Sequence, residues 1–307
     1  MKLPDGVLRF SHIYASAIWG GDAIPRLYRR ADAPYPCSES WEISAHPHGT
    51  SVVKGGPFDG TPLDELVRQL GTELVGRAAP DATRFPLLFK LIDARLPLSV
   101  QVHPGEKTAL ASGGEPKSEA WCVIDAKPGS VIYAGIRKGV AECEFAAAAS
   151  HGDSVAGLLC ERPVACGDMA YIPGGTTHAI GGGILIYEVQ QASDTTFRIY
   201  DWGRVGQDGK PRTLHLREAA KAIDFGLAPP ELSRGSLRAP YFCIRDIVAE
   251  EPVSVKPDGS TFTAVFVASG SISLASAGES LLIPAVGDEV VLEPVGGQAR
   301  IILTTLR

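Results

Sequence analysis

The sequence lacks the marks of a membrane-spanning, nucleic-acid-binding or secreted protein. It contains no run of about 18 apolar residues, so it predicts no transmembrane helix. The formal net charge is −6 and no basic stripe is present, which argues against a nucleic-acid partner. The opening segment MKLPDGVLRF has no apolar core of the signal-peptide type. An anionic substrate is compatible with this charge, because a few local Lys and Arg side chains can line a pocket even in an acidic protein.

Cysteines are few, and their spacing does not suggest disulfides. The chain has six cysteines, none of them in a C-x-x-C pair. One of them, Cys122, lies in an apolar, strand-like run. Both features indicate reduced thiols and therefore a cytoplasmic protein.

Short strands are the dominant pattern. The 34 glycines and 23 prolines supply many turns, and apolar-rich runs such as 98–103, 169–173 and 185–190 lie between them. Many short strands predict a mainly-β sandwich or barrel. Three helices interrupt the strands, at 61–70, 140–150 and 215–223. For the first of these the sequence predicts Thr61 as the N-cap and Pro62 as the first helical residue.

The histidines divide the chain into two unequal parts. A loop-like stretch at 229–240 predicts a domain boundary near residue 230, with domains at 1–230 and 231–307. All seven histidines occur up to His215, so a histidine-based metal site must belong to the first domain. The second domain is therefore expected to be structural and to carry no metal ligands.

Two strand-like segments carry polar side chains on one face. In the run 98–103, alternation places Ser99, Gln101 and His103 on one face and apolar residues on the other. A polar row opposite an apolar row is typical of the inner wall of a ligand-binding barrel. By the same rule Lys117 and Glu119 share a face in the segment 117–121.

A third segment brings a histidine back toward these strands. Residues 167–178 fit G-x5-P-x-G-x2-H, the pattern of the second metal-binding motif of cupins, and end at His178. Its glycines permit turns that reverse the chain. Together His103, Glu119 and His178 make a two-nitrogen, one-carboxylate set that suits a catalytic zinc or another divalent metal. Gln101 is a candidate for a further oxygen ligand.

Other interpretations of these residues compete with the metal site. Glu119 could be only a surface ion-pair partner of Lys117. The pair in His46-Pro47-His48 is a rival metal site, although a proline between two histidines and a following glycine favour a structural turn. Arg198, which shares a strand face with Thr196 and Tyr200, could make only a salt bridge with a nearby aspartate, either Asp194 or Asp201.

Several motifs, in order and at matching spacing, resemble those of the short bacterial type I mannose-6-phosphate isomerases. The resemblance covers roughly residues 10–225, and a C-terminal run at 278–285 is similar to the second cupin of that family. The motifs are Ile18-Trp19-Gly20-Gly21, Glu39-Ser40-Trp41-Glu42-Ile43-Ser44, Phe85-Pro86-Leu87-Leu88-Phe89-Lys90, Ser99-Val100-Gln101-Val102-His103-Pro104, Lys117-Ser118-Glu119-Ala120-Trp121, the 167–178 segment, and the segment from Gln190 to Asp201.

The resemblance implies a fold, a cofactor and a reaction. The fold would be mainly β, with two cupin (jelly-roll) β-barrel domains and a few short helices. The reaction would be the zinc-dependent interconversion of mannose 6-phosphate and fructose 6-phosphate through a cis-enediolate, by a monomer or homodimer with one zinc per chain. The implied zinc ligands are Gln101, His103, Glu119 and His178. The implied catalytic residues are Arg198, Lys117, Asp194 and Glu188, with Ser99 and Lys90 in or near the sugar pocket.

The chemistry of an aldose–ketose isomerase sets three tasks for these residues. They must open the sugar ring, move a proton between C2 and C1, and stabilise the oxyanion that develops. Lys117 and Asp194 are favoured for ring opening, whereas Glu188, Asp194 or a water are open choices for the C1–C2 proton. Two functions from other classes compete with the isomerase. They are an iron-dependent cupin dioxygenase, which typically has three histidine ligands, and a sugar-binding cupin without activity.

Overall fold

The computed structural model describes residues 6–151, 155–206 and 209–307. Its helices are short, and none of the described ones is long and apolar enough to cross a membrane. The α-helices are α1 (Ala23–Tyr28), α2 (Leu63–Leu70), α3 (Thr72–Val75), α4 (Ala109–Ser112), α5 (Glu142–His151) and α6 (Leu216–Ala222). Single 3-10 turns occupy Gly56–Phe58 and Val155–Leu158.

Strands make up most of the ordered structure, so the predicted mainly-β class is confirmed. The strands up to residue 200 are β1 (Leu8–Arg9), β2 (Ile13–Ala15), β3 (Glu39–Ile43), β4 (Ala45–His46), β5 (Gly49–Thr50), β6 (Leu87–Ala94), β7 (Val100–Val102), β8 (Glu119–Ala126), β9 (Val131–Ile136), β10 (Leu159–Pro163), β11 (Met169–Ile172), β12 (His178–Ile180), β13 (Ile184–Gln191) and β14 (Phe197–Tyr200). The later strands are β15 (Leu232–Ser233), β16 (Ser236–Arg238), β17 (Phe242–Ala249), β18 (Val253–Val255), β19 (Thr263–Ser269), β20 (Ser271–Ile272), β21 (Ala275–Ser276), β22 (Ser280–Ile283), β23 (Val290–Leu292) and β24 (Ala299–Leu306).

The three predicted helices correspond to α2, α5 and α6, but the N-cap predicted for the first is wrong. Helix α2 begins at Leu63, its N-cap is Pro62, and no side chain caps it. The reason is a competing extended pairing, because Pro62 forms a β-bridge with Val52. Thr61 also accepts a hydrogen bond at its carbonyl from the Val53 N–H. The chain therefore stays extended through Pro62 before it turns into the helix.

Two opposed sheets are built from strands between residues 13 and 200, and β15 at Leu232–Ser233 is added at the edge of one of them. One has seven strands in the order β15-β11-β8-β13-β6-β3-β2, and the other has five in the order β10-β9-β12-β7-β14. The strand β13 shows how the seven-stranded sheet is buried on both faces. Its Ile184 and Ile186 belong to the core cluster on the side of the five-stranded sheet, whereas Tyr187 and Val189 belong to a second cluster on the opposite face.

A third sheet covers that opposite face. It has six strands in the order β1-β22-β19-β24-β17-β16, which come mainly from the C-terminal part. The Tyr187 ring stacks on Phe266 with a centroid distance of 4.4 Å, and Phe85 lies 4.9 Å from Phe262. The N-terminal strand β1 also joins this sheet, where Leu8 pairs with Leu282. The domain boundary near residue 230 stays a prediction. Residues from both sides of it belong to one apolar core.

A buried ion pair lies at the junction between the first part and the C-terminal sheet. The Arg30 guanidinium donates to both carboxylate oxygens of Glu42, over 2.7 and 2.9 Å. From the C-terminal side, the Gly278 carbonyl accepts from Arg30 and the Ser280 hydroxyl donates to Glu42. Burial raises the pKa of Glu42, but the adjacent Arg30 outweighs burial and the net pKa is lowered.

Replacing one member of this pair should be costly. We expect Glu42→Gln to lower the free energy of unfolding by about 3–5 kcal/mol, because it leaves the buried Arg30 charge without its partner. The measurement is urea unfolding followed by tryptophan fluorescence. The double variant Arg30→Met/Glu42→Leu is the control, since removing both charges should recover much of the loss. A loss below about 1 kcal/mol for Glu42→Gln, typical of an exposed pair, would contradict this account.

Candidate active site

A polar cavity of about 330 Å³ lies between the seven-stranded and the five-stranded sheet. Eight of the ten site residues proposed from the sequence line it, and His103 and His178 lie next to Glu119 beneath it. The eight are Lys90, Ser99, Gln101, Lys117, Glu119, Glu188, Asp194 and Arg198. The cavity wall also contains polar and aromatic residues to which the sequence pattern gave no role, namely Trp19, Glu39, Thr196 and Arg212.

Strand register explains how distant residues meet at one end of this cavity. In the five-stranded sheet, Gln101 of β7 pairs with His178 of β12 on one side and with Arg198 of β14 on the other. Directly opposed residues have Cβ atoms about 4.5–5.5 Å apart, so the three side chains are neighbours. The predicted alternation holds within β7, where Val100 and Val102 are fully buried in the apolar core behind. It is wrong for Leu98, which precedes the strand and lines the cavity together with Ser99 and Gln101.

The turn of the 167–178 motif is fixed by a close backbone approach to His103. The Gly175 N–H donates to the His103 carbonyl over 2.7 Å, and Gly175 has a positive φ of 97°. A Cβ added at Gly174 would lie 2.7 Å from the Gly105 Cα. Glycine is therefore required at this crossing, and the crossing brings His178 to β7, the strand that His103 follows.

Three side chains in the cavity floor form a cluster of metal-ligand type. One ligand atom each from His103, Glu119 and His178 lies within 4.8 Å of the others, and all three residues are buried. The His103 Nε2 is 3.2 Å from one Glu119 carboxylate oxygen, and the His178 Nε2 is 3.4 Å from the other. Two atoms that each lie about 2.0–2.2 Å from a tetrahedral zinc are about 3.3–3.6 Å apart. Each imidazole lies at about this separation from its nearer Glu119 oxygen, while the full set of three ligand atoms spans up to 4.8 Å and would have to close slightly around the ion.

Both imidazoles are oriented by backbone carbonyls. The His103 Nδ1 donates to the Thr195 carbonyl over 2.7 Å, and the His178 Nδ1 donates to the Thr176 carbonyl over 2.8 Å. In a neutral imidazole this leaves the Nε2 lone pair free, and in both residues Nε2 faces Glu119. Such carbonyl partners are typical of metal-binding histidines.

The electrostatics of the floor keep the ligand atoms in their metal-binding protonation states. Burial, together with the Lys117 ammonium, lowers the pKa of His103 to about 3. Burial likewise lowers the pKa of His178. For Glu119 burial raises the pKa, but the adjacent Lys117 ammonium outweighs burial, so the net pKa is well below the ordinary value. The floor therefore presents two neutral imidazoles and one carboxylate.

The Glu119 carboxylate shows that the cluster is suited to a cation. Its Oε2 is fully buried and lies 3.0 Å from the Lys117 Nζ, yet it has no hydrogen bond of good geometry in the described part of the chain. The competing interpretation of Glu119 was a surface ion pair with Lys117. The ion pair forms, but it is buried and not at the surface. The Lys117 Nζ is also 3.1 Å from the His103 Nε2, so the ammonium faces the same lone pairs that a metal would use.

Gln101 lies beside the cluster with its amide nitrogen toward His178. The two nitrogens, Gln101 Nε2 and His178 Nε2, are 3.3 Å apart, and the Gln101 Oε1 accepts from the Ser99 hydroxyl over 3.1 Å. To act as an oxygen ligand, the amide would have to rotate by half a turn, and the Ser99 hydroxyl would then accept instead of donating. Amide orientation is set by such hydrogen-bond networks.

The opposite wall carries a second carboxylate in a different environment. The Trp121 indole N–H donates to Glu188 Oε1 over 3.2 Å, and Glu188 Oε2 is buried without a hydrogen-bond partner among the described residues. Burial and the nearby Glu119 charge raise the pKa of Glu188 to about 7. On the same wall the Lys90 Nζ lies 3.4 Å from Glu39 and 4.5 Å above the centre of the Trp41 ring.

Arg198 is held by a loop that the sequence analysis did not connect with it. Its N–H donates to the His215 Nδ1 over 3.1 Å, its carbonyl accepts from the His215 N–H, and its guanidinium donates to the Thr213 carbonyl over 2.9 Å. Asp201 pairs instead with Arg204 and Arg212. Within the described ranges Arg198 has no carboxylate partner, so neither of the salt bridges considered for it forms.

The rival histidine pair has separate carboxylate partners. The His46 Nε2 lies 3.3 Å from Glu115, and the His48 Nδ1 lies 2.9 Å from Asp194. The two rings meet edge to face with centroids 4.8 Å apart. Among the described residues the metal-type cluster is the one at Glu119, and these histidines are not part of it.

Comparison with known proteins shows which family of enzymes the chain resembles. The sequence profile described as "Phosphomannose isomerase type I, catalytic domain" matches residues 7–118. A mannose-6-phosphate isomerase of Streptococcus mutans is 43% identical over 211 residues, which are 68% of this chain and 65% of that relative. The mannose-6-phosphate isomerase ManA of Bacillus subtilis is 39% identical over 229 residues, which are 72% of this chain and 69% of that relative. The match with the streptococcal relative thus spans just under two thirds of its length.

A solved structure agrees along the whole fold. The crystal structure of the mannose 6-phosphate isomerase from Bacillus subtilis superimposes with a TM-score of 0.85 at 29% sequence identity, and it covers 97% of this chain and 99% of that chain. Opposed β-sheets around a His–Glu–His floor define a metal-binding cupin, a class that supports many different reactions. The sequence relatives decide among them: the chain belongs to the type I mannose-6-phosphate isomerase family.

Proposed function

We propose that this chain interconverts mannose 6-phosphate and fructose 6-phosphate in a zinc-dependent reaction that passes through a cis-enediolate. The observation that carries the proposal is the cavity itself, whose buried His–Glu–His floor lies next to a wall of ammonium and guanidinium groups. Such a pocket suits a polyhydroxylated anion. The proposal includes one zinc per chain and a cytoplasmic enzyme that acts as a monomer or homodimer.

Zinc would be held by His103, Glu119 and His178, with Gln101 as the fourth and weakest ligand. The tautomers set by the backbone carbonyls and the buried Glu119 oxygen support this assignment. When bound, the metal supplies a Lewis acid that polarises the sugar oxygens at C1 and C2. The Lys117 ammonium faces the same ligand atoms, so it would turn toward the substrate in the zinc-loaded protein.

Arg198 is proposed to stabilise the negative charge that develops on the enediolate. It is next to Gln101 in the sheet, it lines the cavity, and its guanidinium donates to the Thr213 carbonyl, which orients it before substrate arrives. Fixed donors aimed at a developing charge are usually the largest single contribution to catalysis. The absence of a carboxylate partner in the described structure leaves its charge available for this purpose.

Glu188 is proposed to carry the proton between C2 and C1. It faces the cavity, and burial beside Glu119 raises its pKa to about 7. A general base with a pKa near the working pH can both accept and return a proton. Ring opening is assigned to Asp194 and Lys117, and substrate binding to Ser99 and Lys90, all of which line the cavity.

The reaction and its intermediate can be tested together in heavy water. With mannose 6-phosphate in D2O, we expect fructose 6-phosphate with solvent deuterium at C1, because an enediolate exchanges its mobile proton through a side chain. Nuclear magnetic resonance of the product gives the position of the label. Glu188 can return some of the protons before they exchange, but every turnover is a new chance of exchange. Product that is kept at equilibrium with the enzyme for many turnovers and still carries no deuterium would indicate hydride transfer and contradict the enediolate. Failure to form fructose 6-phosphate at all would contradict the proposed activity.

A further inference from the structure

The turn that carries His46 and His48 is not used by the proposed mechanism, although it contacts the cavity through Asp194. Asp194 lines the cavity, and its carboxylate has 36% of its surface exposed. In the part of the chain that the structure describes, the hydrogen-bond partner of this carboxylate is His48, over 2.9 Å. An ionised carboxylate only accepts hydrogen bonds, so His48 Nδ1 is the donor.

His48 is itself held in place by its neighbour. The His48 main-chain N–H donates to the His46 Nδ1 over 3.2 Å, so in neutral His46 the proton is on Nε2. That Nε2 faces Glu115 at 3.3 Å, and His46 is buried with its ring against Trp41. The edge of the His48 ring also packs on His46. His48 therefore projects from a fixed base even though its own ring is 71% exposed.

The loop that carries Asp194 is anchored to the same region. The Glu115 N–H donates to the Thr195 hydroxyl over 3.0 Å, and the Ser193 hydroxyl donates to the Glu115 carbonyl over 3.3 Å. The backbone on both sides of Asp194 is also held, because the Ser193 carbonyl accepts from Gln190 and the Thr195 carbonyl accepts from His103. The carboxylate itself is oriented by His48 alone among the described side chains.

We propose that His48 is a positioning residue: its Nδ1–H holds the Asp194 carboxylate at the cavity mouth, where Asp194 takes the O1 proton during opening of the hexose-phosphate ring. This inference rests on the proposed isomerase function and adds a residue to it. A carboxylate held by an imidazole N–H keeps one oxygen aimed at its target, in the way that orienting partners act on other reactive groups.

Ring opening transfers the proton of the C1 hydroxyl and breaks the C1–O5 bond. Asp194 accepts the proton from the C1 hydroxyl, the O1–H electron pair becomes the second bond of C1=O1, and the C1–O5 bond breaks. The electron pair of that bond goes to O5, which takes a proton from a water at the open cavity mouth. The resulting hydroxide then takes the proton back from Asp194, so that water and the carboxylate are both restored.

The test measures ring opening separately from isomerisation. Nuclear magnetic resonance with magnetisation transfer gives the rate at which the full-length zinc-loaded protein interconverts the α and β anomers of mannose 6-phosphate. This interconversion requires the ring to open and close. We expect His48→Ala to slow this exchange and kcat by about 10- to 100-fold, the usual cost of losing an orienting hydrogen bond, with little change in KM. His48→Asn, whose amide N–H can still donate to Asp194, should restore most of the exchange.

Two further variants distinguish positioning from a general structural effect. His48→Ala/Asp194→Asn should be no slower in anomer exchange than Asp194→Asn alone, because the two residues act as one unit. His151→Ala, at an exposed histidine of α5 whose Nδ1 donates to the Ala147 carbonyl of the same helix, should leave exchange unchanged. The melting temperature and zinc content of each variant confirm that it is folded and loaded.

Three results would overturn the role of His48. They are unchanged anomer exchange in His48→Ala, no recovery in His48→Asn, and full additivity in the double variant. A wild-type protein that isomerises without accelerating anomer exchange would also overturn it while leaving the proposed function intact. A wild-type protein that does neither would instead contradict the proposed function.

Discussion

Arg198→Ala should lower kcat for mannose 6-phosphate by about 100- to 1000-fold, the range seen when one fixed donor to a developing oxyanion is lost. The structure gives the reason, because Arg198 lines the cavity beside Gln101 while the Thr213 carbonyl and the His215 imidazole hold it in position. Arg198 is not among the proposed zinc ligands, so zinc content should not change. The measurement is steady-state kinetics together with metal analysis of the same preparation.

Two controls define what this result means. Arg198→Lys keeps the positive charge but loses the planar fork, so we expect an intermediate rate. Arg238→Ala removes an exposed arginine on β16 of the C-terminal sheet and should leave kcat unchanged. An Arg198→Ala variant with near-normal kcat would refute the catalytic role, and one that has lost its zinc would assign Arg198 a structural role instead.

The second large effect is expected at the cavity floor. Removal of an outer hydrogen-bonding partner of a metal ligand typically lowers affinity by about 10- to 100-fold, so loss of a direct ligand should cost more than about 100-fold. His178→Ala and Glu119→Gln should therefore lose zinc and activity together. Gln101→Ala should weaken zinc binding less, because its amide now donates toward His178 rather than presenting its oxygen. Competition with a chromogenic chelator measures all three affinities.

The control for this series is a histidine outside the cavity. His151→Ala, on the exposed surface of α5, should bind zinc as the wild type does. If Gln101→Ala loses as much affinity as His178→Ala, the amide is a full ligand and the predicted ranking is wrong. If Glu119→Gln keeps zinc with unchanged affinity, the floor of the cavity is not the metal site.

Within the strand β7, alternation was sufficient to predict which side chains share a face, but it failed at Leu98, which lies before the strand begins. The face that carries Ser99, Gln101 and His103 follows from the period of two, since the intervening Val100 and Val102 are fully buried. The 167–178 motif likewise predicts the return of a histidine, because its glycines permit a backbone crossing that no residue with a Cβ could make. These features are local, and local features can be read from a sequence.

Partners that depend on strand order could not be predicted in the same way. Lys90 meets Glu39 because β6 lies beside β3, and Arg198 meets His215 because the chain returns after a long loop. The hydrogen bond between His48 and Asp194 joins residues that are 146 positions apart, and no periodicity of the sequence links them. Alternation gives the face of a side chain but not the strand that will lie next to it.

The sequence also did not predict how much apolar core is shared by the parts before and after residue 230. A histidine count and a loop near residue 230 suggested a separate, structural C-terminal domain. The structure stacks Tyr187 on Phe266 and places Leu8 in the C-terminal sheet, so the second part covers the back of the sheet that carries the site. An apolar run predicts that its side chains are buried, but it does not predict which other segment they pack against.

The most direct test of the proposed function is the rate of fructose 6-phosphate formation from mannose 6-phosphate, measured on the wild-type protein after chelation and again after zinc is restored. The account predicts that the chelated protein is inactive and that activity returns in proportion to zinc, reaching its maximum at one zinc per chain. Turnover that persists in fully metal-free protein, or no turnover with the site filled by zinc, would contradict it.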